Sequence, residues 1–119
     1  METIVTDQVR TQALDRMFLA LADPGRRSMV EQLSFRAATV KQLAEPAGMR
    51  LPSAVKHLKV LEASGLVTSR KVGRERTFQL RVGAMQTLGE WVRSREAAWN
   101  AAFDRLAAAM EDIKEEDAL

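Results

Sequence analysis

The sequence predicts a mainly α-helical fold with a two-stranded β-wing. Two short helices follow each other closely in residues 39–64, and an alternating ribbon with a glycine at its tip occupies residues 66–81. Longer amphipathic segments, residues 6–22 and 84–110, flank them. A chain of 119 residues suffices for one hydrophobic core, so we expect a single domain over residues 1–119 with the element order of a winged helix-turn-helix.

The N-terminal part of the chain predicts two helices separated by a sharp boundary. Apolar residues recur at intervals of three and four in residues 6–22. Asp23 is a favoured N-cap and Pro24 a favoured first helical residue, so a second helix should start there and run to Leu33. The residues expected to be buried on it are Met29, Val30 and Leu33, and those expected at the surface are Arg26 and Arg27.

The first helix of the predicted pair spans residues 39–49, after a short link over residues 34–38. Thr39 can accept hydrogen bonds from the free backbone N–H groups of the helix start. Pro46 and Gly48 are helix-breaking residues, and we expect them to close the helix.

The second helix of the pair should run over residues 52–64. Pro52 suits a first helical position and Gly65 suits the residue just past the end. A rotation of 100° per residue separates a mostly apolar half-circle from one of short or basic side chains. The positions expected to face inward are Leu51, Ala54, Val55, Leu58, Leu61 and Glu62. The positions expected to face outward are Ser53, Lys56, Lys59, Val60 and Ala63, with Pro52 and His57 at the margins.

The ribbon of residues 66–81 predicts two strands joined by a tight turn. Gly73 permits the turn, and Arg74 lies beside it at the tip. Apolar and charged positions alternate along both strands. The apolar positions are Leu66, Val67, Val72, Phe78 and Leu80, and the charged ones are Arg70, Lys71, Arg74 and Arg76.

The C-terminal segment predicts a long helix with an apolar stripe. Met85, Val92, Trp99, Leu106 and Ile113 are spaced by seven residues, which is typical of a helix that packs along another helix. The stripe is wider than one short partner needs, so we expect it to pack on residues 6–22 and also on a second copy; the alternative is an amphipathic helix folded on its own core. The acidic residues 111–117 should form a frayed, solvated tail. The positions expected at the dimer interface are Met85, Leu88, Val92, Trp99, Phe103, Leu106 and Met110.

Basic residues are concentrated in the helix pair and the ribbon. Residues 36–81 hold ten Lys or Arg against three Glu, a surplus of seven in a chain whose net charge is +2, so the remaining 73 residues carry a net charge of −5. Such segregation directs a polyanion to one face of the molecule. Chance clustering on a solvated face is the alternative.

Double-stranded DNA is the partner that this pattern favours, because the major groove admits one helix and its edges accept hydrogen bonds from short or basic side chains. Lys56 can bond guanine or phosphate, and Arg74 suits a narrow groove of negative potential. Two alternatives remain: a basic ribbon also deters strand pairing with other molecules, and His57 can serve a structural role beside the core. The residues expected to contact DNA are Lys41, Arg50, Ser53, Lys56, His57, Lys59, Lys71, Arg74 and Arg76.

Composition argues against several other classes of function. The absence of Cys excludes disulfides and thiolate metal ligands, and a single His without a Gly-rich phosphate loop or a recognisable carboxylate pair does not indicate an enzyme. We expect no cofactor and no metal. The N-terminus lacks the apolar region of a signal peptide, and no apolar run is long enough to span a bilayer, so we expect a soluble, cytoplasmic protein without a membrane partner.

Four runs of sequence resemble the ArsR family of bacterial winged-helix repressors: ALADPGRRSMVEQL, VKQLAEPAGM, LPSAVKHLKVLEASGLV and RKVGRERTFQL. They lie in register over residues 18–80. The resemblance implies a homodimeric repressor, with helices at both chain ends forming the dimer core. It further implies a near-palindromic operator, with residues 52–64 in the major groove and residues 71–76 at its flank, and regulation of the protein's own gene or a neighbouring one.

The sequence departs from the family pattern at two positions and lacks one set of residues. Arg50 and Val55 stand where family members commonly have Ser. Metal-sensing members carry Cys near the start of the helix that corresponds to residues 40–45, or His and acids on the terminal helix, and this sequence has neither set. The resemblance therefore implies a member that does not sense metals, and the existence and identity of a small-molecule inducer stay open. The competing hypothesis is a winged-helix module that binds an acidic protein without specific DNA recognition.

Overall fold

The computed structural model describes residues 2–118, with side chains from residue 7 to residue 118. Residues 1 and 119 lie outside the described part. The expectation of a single domain over residues 1–119 remains a prediction. Contacts along the chain divide it into an N-terminal unit, Met1–Gln86, and a C-terminal unit, Thr87–Leu119. In chain order the elements are α1 (Glu2–Leu21), α2 (Pro24–Leu33), β1 (Ala38–Thr39), α3 (Val40–Ala44), α4 (Leu51–Ala63), β2 (Val67–Val72), β3 (Glu75–Leu80) and α5 (Val82–Ala118).

These elements confirm the predicted fold class, which is mainly helical with a β-wing. The N-terminal unit has one core, to which α2, α3, α4 and the sheet all contribute. Burying a large aliphatic side chain stabilises a fold by roughly 1.5–3 kcal/mol, so these contacts dominate the packing of the unit. The predicted burial of the α2 face is confirmed. The largest fully buried side chains are Met29, Leu43, Leu58, Leu61, Leu66 and Val67.

The corner between α1 and α2 is built from polar contacts. As predicted, Asp23 caps α2: its carboxylate accepts a hydrogen bond of 3.0 Å from the backbone N–H of Arg26. Arg26 Nε donates to the carbonyl of Ala20 at 2.6 Å, and Arg27 Nη1 donates to the carbonyl of Leu21 at 2.8 Å. The two arginines expected simply at the surface therefore satisfy carbonyls that the end of α1 leaves without helical partners.

Helix α3 starts as predicted and ends earlier. Thr39 forms a capping box with Gln42: Thr39 N–H donates to Gln42 Oε1 at 2.9 Å and Gln42 N–H donates to Thr39 Oγ1 at 3.4 Å. The predicted extension to residue 49 is wrong, because the helix ends at Ala44. Pro46 has no N–H to continue the helical ladder, and Gly48 adopts a φ of 61°, which reverses the chain.

Helix α4 covers Leu51–Ala63, so both of its ends lie one residue earlier than the predicted range of 52–64. Gly65, two residues after the helix, has a φ of 84°. Ala54, Leu58 and Leu61 are buried as expected. The inward orientation predicted for Leu51, Val55 and Glu62 is wrong, since all three are exposed. At 100° per residue the buried trio covers an arc of only about 60°, so a half-circle is too wide a criterion for this helix.

The wing is part of a three-stranded antiparallel sheet with the order β1-β3-β2. The predicted hairpin is confirmed, with Val72 opposite Glu75 and Gly73 at a φ of 64° in the turn between them. The two-stranded expectation omitted β1, which pairs Ala38 with Phe78 and Thr39 with Thr77. Two residues are too few to show an alternating pattern, so sequence periodicity contains no signal for this strand.

Helix α5 begins two residues before the predicted range of 84–110 and continues eight residues beyond it. The acidic residues expected as a frayed tail are helical. Unfavourable interactions of carboxylates with the helix dipole cost only about 0.3–1 kcal/mol each, and the sequence after Gly89 has no Gly or Pro to stop the helix. Among residues 2–118, no helix combines the length and the apolar character that crossing a bilayer requires.

Within the C-terminal unit, α5 presents an exposed apolar stripe. The rings of Trp99 and Phe103 meet edge to face with centroids 4.9 Å apart. The Arg95 guanidinium lies 5.8 Å from the centre of the Trp91 ring. Of the seven positions predicted at a dimer interface, Leu88 is buried and the other six are exposed. The exposed stripe of this unit consists of Val92, Trp99, Phe103, Leu106, Met110 and Ile113; Met85, which is also exposed, belongs to the N-terminal unit.

Candidate nucleic-acid interface

The N-terminal unit presents a basic surface formed by α3, α4 and the wing. Eight of the nine residues predicted to contact DNA are exposed, and only His57 is half-buried. Within side chains 7–118, the basic members of this set make no salt bridge with a carboxylate apart from the contact of His57 with Asp23. Their charges are therefore available to an external anion. The eight exposed residues are Lys41, Arg50, Ser53, Lys56, Lys59, Lys71, Arg74 and Arg76.

The outward side of α4 carries the residues suited to reading base edges. Ser53 and Lys56 are three residues apart, so they lie on one side of the helix in successive turns. Arg50 is the N-cap residue of α4, and its side chain makes no capping hydrogen bond. Its guanidinium is therefore not engaged at the start of the helix and is exposed. This arrangement places one hydroxyl and two cations at the start of the helix, where recognition helices contact DNA.

The wing carries two like-charged residues at directly opposite positions of its strands. Lys71 and Arg76 are directly opposite in the β2–β3 register, and like charges in this position destabilise a strand pair. Arg76 Nη1 donates to Ser69 Oγ at 2.9 Å, which orients the guanidinium but leaves its charge unneutralised. Arg74 lies in the two-residue turn beside Gly73. A bound phosphate would relieve the repulsion, so this geometry favours an anionic partner.

A depression of about 500 Å³ lies between α3, α4 and β3. It brings together two residues of the predicted set, Lys59 from the helix and Arg76 from the wing. Its apolar lining includes Val55, which the helical pattern predicts to face inward. Val55 lies about 100° around the helix from Ala54, at the edge of the predicted inward half-circle, and its exposure depends on how far the sheet and α3 extend. The residues around the depression are Val40, Val55, Lys59, Glu62, Arg76 and Phe78.

The His57 imidazole contacts α2. Its Nδ1 lies 3.7 Å from Asp23 Oδ2, and 24% of the side chain is exposed. A Cβ at Gly25 would lie 3.0 Å from both Asp23 Oδ2 and His57 Nε2, so a residue without a side chain permits this approach. The backbone N–H of Arg26 lowers the pKa of Asp23, partial desolvation opposes this, and electrostatic interactions with His57 and Arg26 lower the pKa further. This contact agrees with a structural role for His57, and its contact with DNA stays a prediction.

Comparisons with known proteins agree with this geometry. A family model described as a helix-turn-helix domain matches residues 21–70. The HTH-type transcriptional regulator Rv2034 of Mycobacterium tuberculosis is 41% identical over 66 residues, which cover 56% of this chain and 62% of that protein. The HTH-type transcriptional repressor SmtB of the same species is 35% identical over 68 residues, 57% of this chain and 50% of its own length. The chain thus spans less than two thirds of the curated relatives it matches.

A solved structure extends the similarity over nearly all of a relative. The crystal structure of the ArsR family transcriptional regulator RHA00566 superposes with a TM-score of 0.68 at 38% sequence identity. The match covers 76% of this chain and 93% of that one. Both the helix pair and the wing of the present chain therefore have counterparts in a protein of similar sequence.

Proposed function

Because the chain belongs to the ArsR family of winged helix-turn-helix transcriptional regulators, we propose that it is a homodimeric, sequence-specific repressor that binds a near-palindromic operator. The observation that carries the proposal is the basic surface, in which exposed cations of α4 and of the wing lack carboxylate partners within side chains 7–118. The repulsion between Lys71 and Arg76 in the wing adds to it, since binding a phosphate removes that repulsion.

The residue roles follow from the positions on these elements. Helix α4 enters the major groove, where Ser53 and Lys56 contact base edges. The wing contacts the flank of the site, with Arg74 at the minor groove or its phosphates. The residues proposed to contact the phosphate backbone are Lys41, Arg50, Lys59, Lys71 and Arg76.

The homodimer is proposed from the exposed stripe of α5. Trp99, Phe103, Leu106, Met110 and Ile113 are each 52–65% exposed in the single chain. They are spaced by alternate steps of four and three residues, the pattern of a helix that packs along a second helix. A twofold pair buries the same stripe from both copies and sets two α4 helices about one DNA turn, roughly 34 Å, apart. Leu88 is already buried in the single chain and offers little surface to a partner.

Repression then follows from occupancy, because a dimer bound across a promoter excludes polymerase from it. The relative SmtB is named a repressor, which supports this direction of regulation. A protein with this role acts in the cytoplasm, where the operator DNA is. The proposed mechanism requires neither a cofactor nor catalysis, and it leaves a small-molecule inducer open.

Footprinting on the DNA upstream of the protein's own gene tests the proposal together with autoregulation. We expect protection of a near-palindrome of two half-sites, and sedimentation should show two copies of the protein per duplex. Random duplex of equal length serves as the control. Equal binding to every fragment would contradict the proposal and favour the alternative, a winged helix that binds an acidic protein.

A further inference from the structure

Helix α4 exposes aliphatic side chains beside its basic ones. Leu51 is 45% exposed and Val55 38% exposed. The two are four residues apart, so they are neighbours on one face of the helix. The start of the helix therefore combines hydrogen-bonding groups with an apolar surface that the fold of the single chain does not bury.

The surroundings of Val55 suit a nucleic-acid strand. Val40 and Phe78 line the same depression and extend its apolar surface. Lys59, one helical turn after Val55, and Arg76 of the wing contribute two cations, against one carboxylate from Glu62. A strand along this rim can place phosphates at the cations and turn base edges toward Val55.

The ligand chemistry follows from what an aliphatic side chain can recognise. Val55 has no donor or acceptor, so it cannot read the hydrogen-bonding pattern of a base edge. The apolar group that a DNA duplex displays in its major groove is the C5-methyl of thymine. Cytosine, adenine and guanine offer nothing equivalent in unmodified DNA, and therefore an apolar contact at this position selects thymine.

We propose that Val55, with Leu51 beside it, selects thymine at one position of each operator half-site by contacting its 5-methyl group. The inference rests on the proposed function, because it requires α4 to lie in the major groove. Removing one such methyl should weaken binding about fourfold per half-site, the factor that corresponds to burying one carbon group. Removing the methyl groups of both half-sites should weaken binding by about sixteenfold, since the half-sites are far apart and the two losses add in free energy.

The test starts from random duplex DNA. The wild-type protein and a Val55→Ser variant are used in parallel to select duplexes from a random pool. Each thymine of the site selected by the wild type is then replaced, one position at a time, by deoxyuridine, which lacks only the methyl group. Affinities are measured by fluorescence anisotropy. We expect deoxyuridine at one symmetric position to weaken wild-type binding by the factors above, while Val55→Ser binds the thymine and uracil duplexes equally.

Val60→Ser is the competing variant, because Val60 is 41% exposed and lies on the outward side of α4 with Ser53 and Lys56, about 140° around the helix from Val55. It should retain the wild-type penalty for deoxyuridine. Loss of the penalty in Val60→Ser rather than in Val55→Ser would overturn the inference, as would a wild-type site that tolerates uracil everywhere. A change in sedimentation of Val55→Ser would also overturn it, since the patch would then contact another copy. If wild type selects no site at all, the proposed function itself fails.

Discussion

Replacing Arg74 by alanine should change the salt dependence of DNA binding by an amount that the structure defines. Arg74 is exposed in the turn of the wing, and the proposed roles assign at most six Lys or Arg of one protomer to phosphates, because Lys56 is assigned to base edges. Each phosphate contact contributes about 0.9 to the slope of log K against log salt, so twelve contacts in a dimer set an upper limit of about 11. Losing Arg74 from both protomers should reduce the slope by about 1.8.

The assay compares affinities at two salt concentrations. Between roughly 50 and 200 mM salt, a slope difference of about 1.8 makes the ratio of wild-type to variant affinity fall by about twelvefold. Fluorescence anisotropy with operator and scrambled duplexes should show the same change for both, because phosphates carry no sequence information. Arg74→Lys preserves the charge and should preserve the slope. Arg105→Ala, an exposed arginine of α5, removes the same charge elsewhere. An unchanged slope in Arg74→Ala, or an equal change in Arg105→Ala, would refute the reasoning.

Four further predictions test other parts of the molecule. Lys56→Ala should lower operator affinity by about 1–3 kcal/mol and relax base preference, and equal discrimination between operator and scrambled duplexes in wild type and variant would contradict the role of Lys56. Thr39→Ala removes the capping box and should destabilise the fold by about 1 kcal/mol in urea unfolding, whereas Thr39→Ser should retain most of that stability. Leu106→Glu should shift sedimentation toward the monomer, while Ala108→Glu, about 200° around the helix, should not. Because the fold lowers the pKa of Asp23 below its ordinary value of 3.8, the carboxylate contributes its full stability above that pH and loses it below. The stability advantage of wild type over Asp23→Asn, measured by urea unfolding at neutral and acid pH, should therefore shrink as the pH falls below 3.8, and a constant advantage would show that the charge is irrelevant.

Features set by neighbouring residues could be predicted from the sequence. The caps at Asp23 and Thr39 and the turns at Gly65 and Gly73 depend on side chains and backbone conformations within a few residues, so their signals are local. Strand β1 could not be predicted, because it exists only through pairing with residues about 40 positions later in the chain. The predicted end of α5 at residue 110 is wrong, because the unfavourable interaction of acidic residues with the helix dipole is weak. The long run of good helix formers outweighs it.

In the candidate site, too, features set by local sequence could be predicted and features set by distant contacts could not. Exposed cations could be predicted from the helical and strand periods, and the structure places all seven Lys and Arg of the predicted set at the surface. The exposure of Val55 could not, because a residue at the edge of a helical face is buried or open according to what packs beside it. Here the neighbours are the short α3 and a sheet that leaves a depression between them.

His57 is the predicted DNA contact that the structure supports least. Both ring nitrogens face α2: Nδ1 lies near the Asp23 carboxylate, and Nε2 lies at the position that a side chain of Gly25 would fill. The Asp23 carboxylate that His57 contacts also caps α2. Arg26 and Arg27, in the first turn of the same helix, donate hydrogen bonds to carbonyls at the end of α1. The start of α2 thus contacts the end of α1 through Arg26 and Arg27 and contacts α4 through His57, so one polar corner touches three helices of the N-terminal unit.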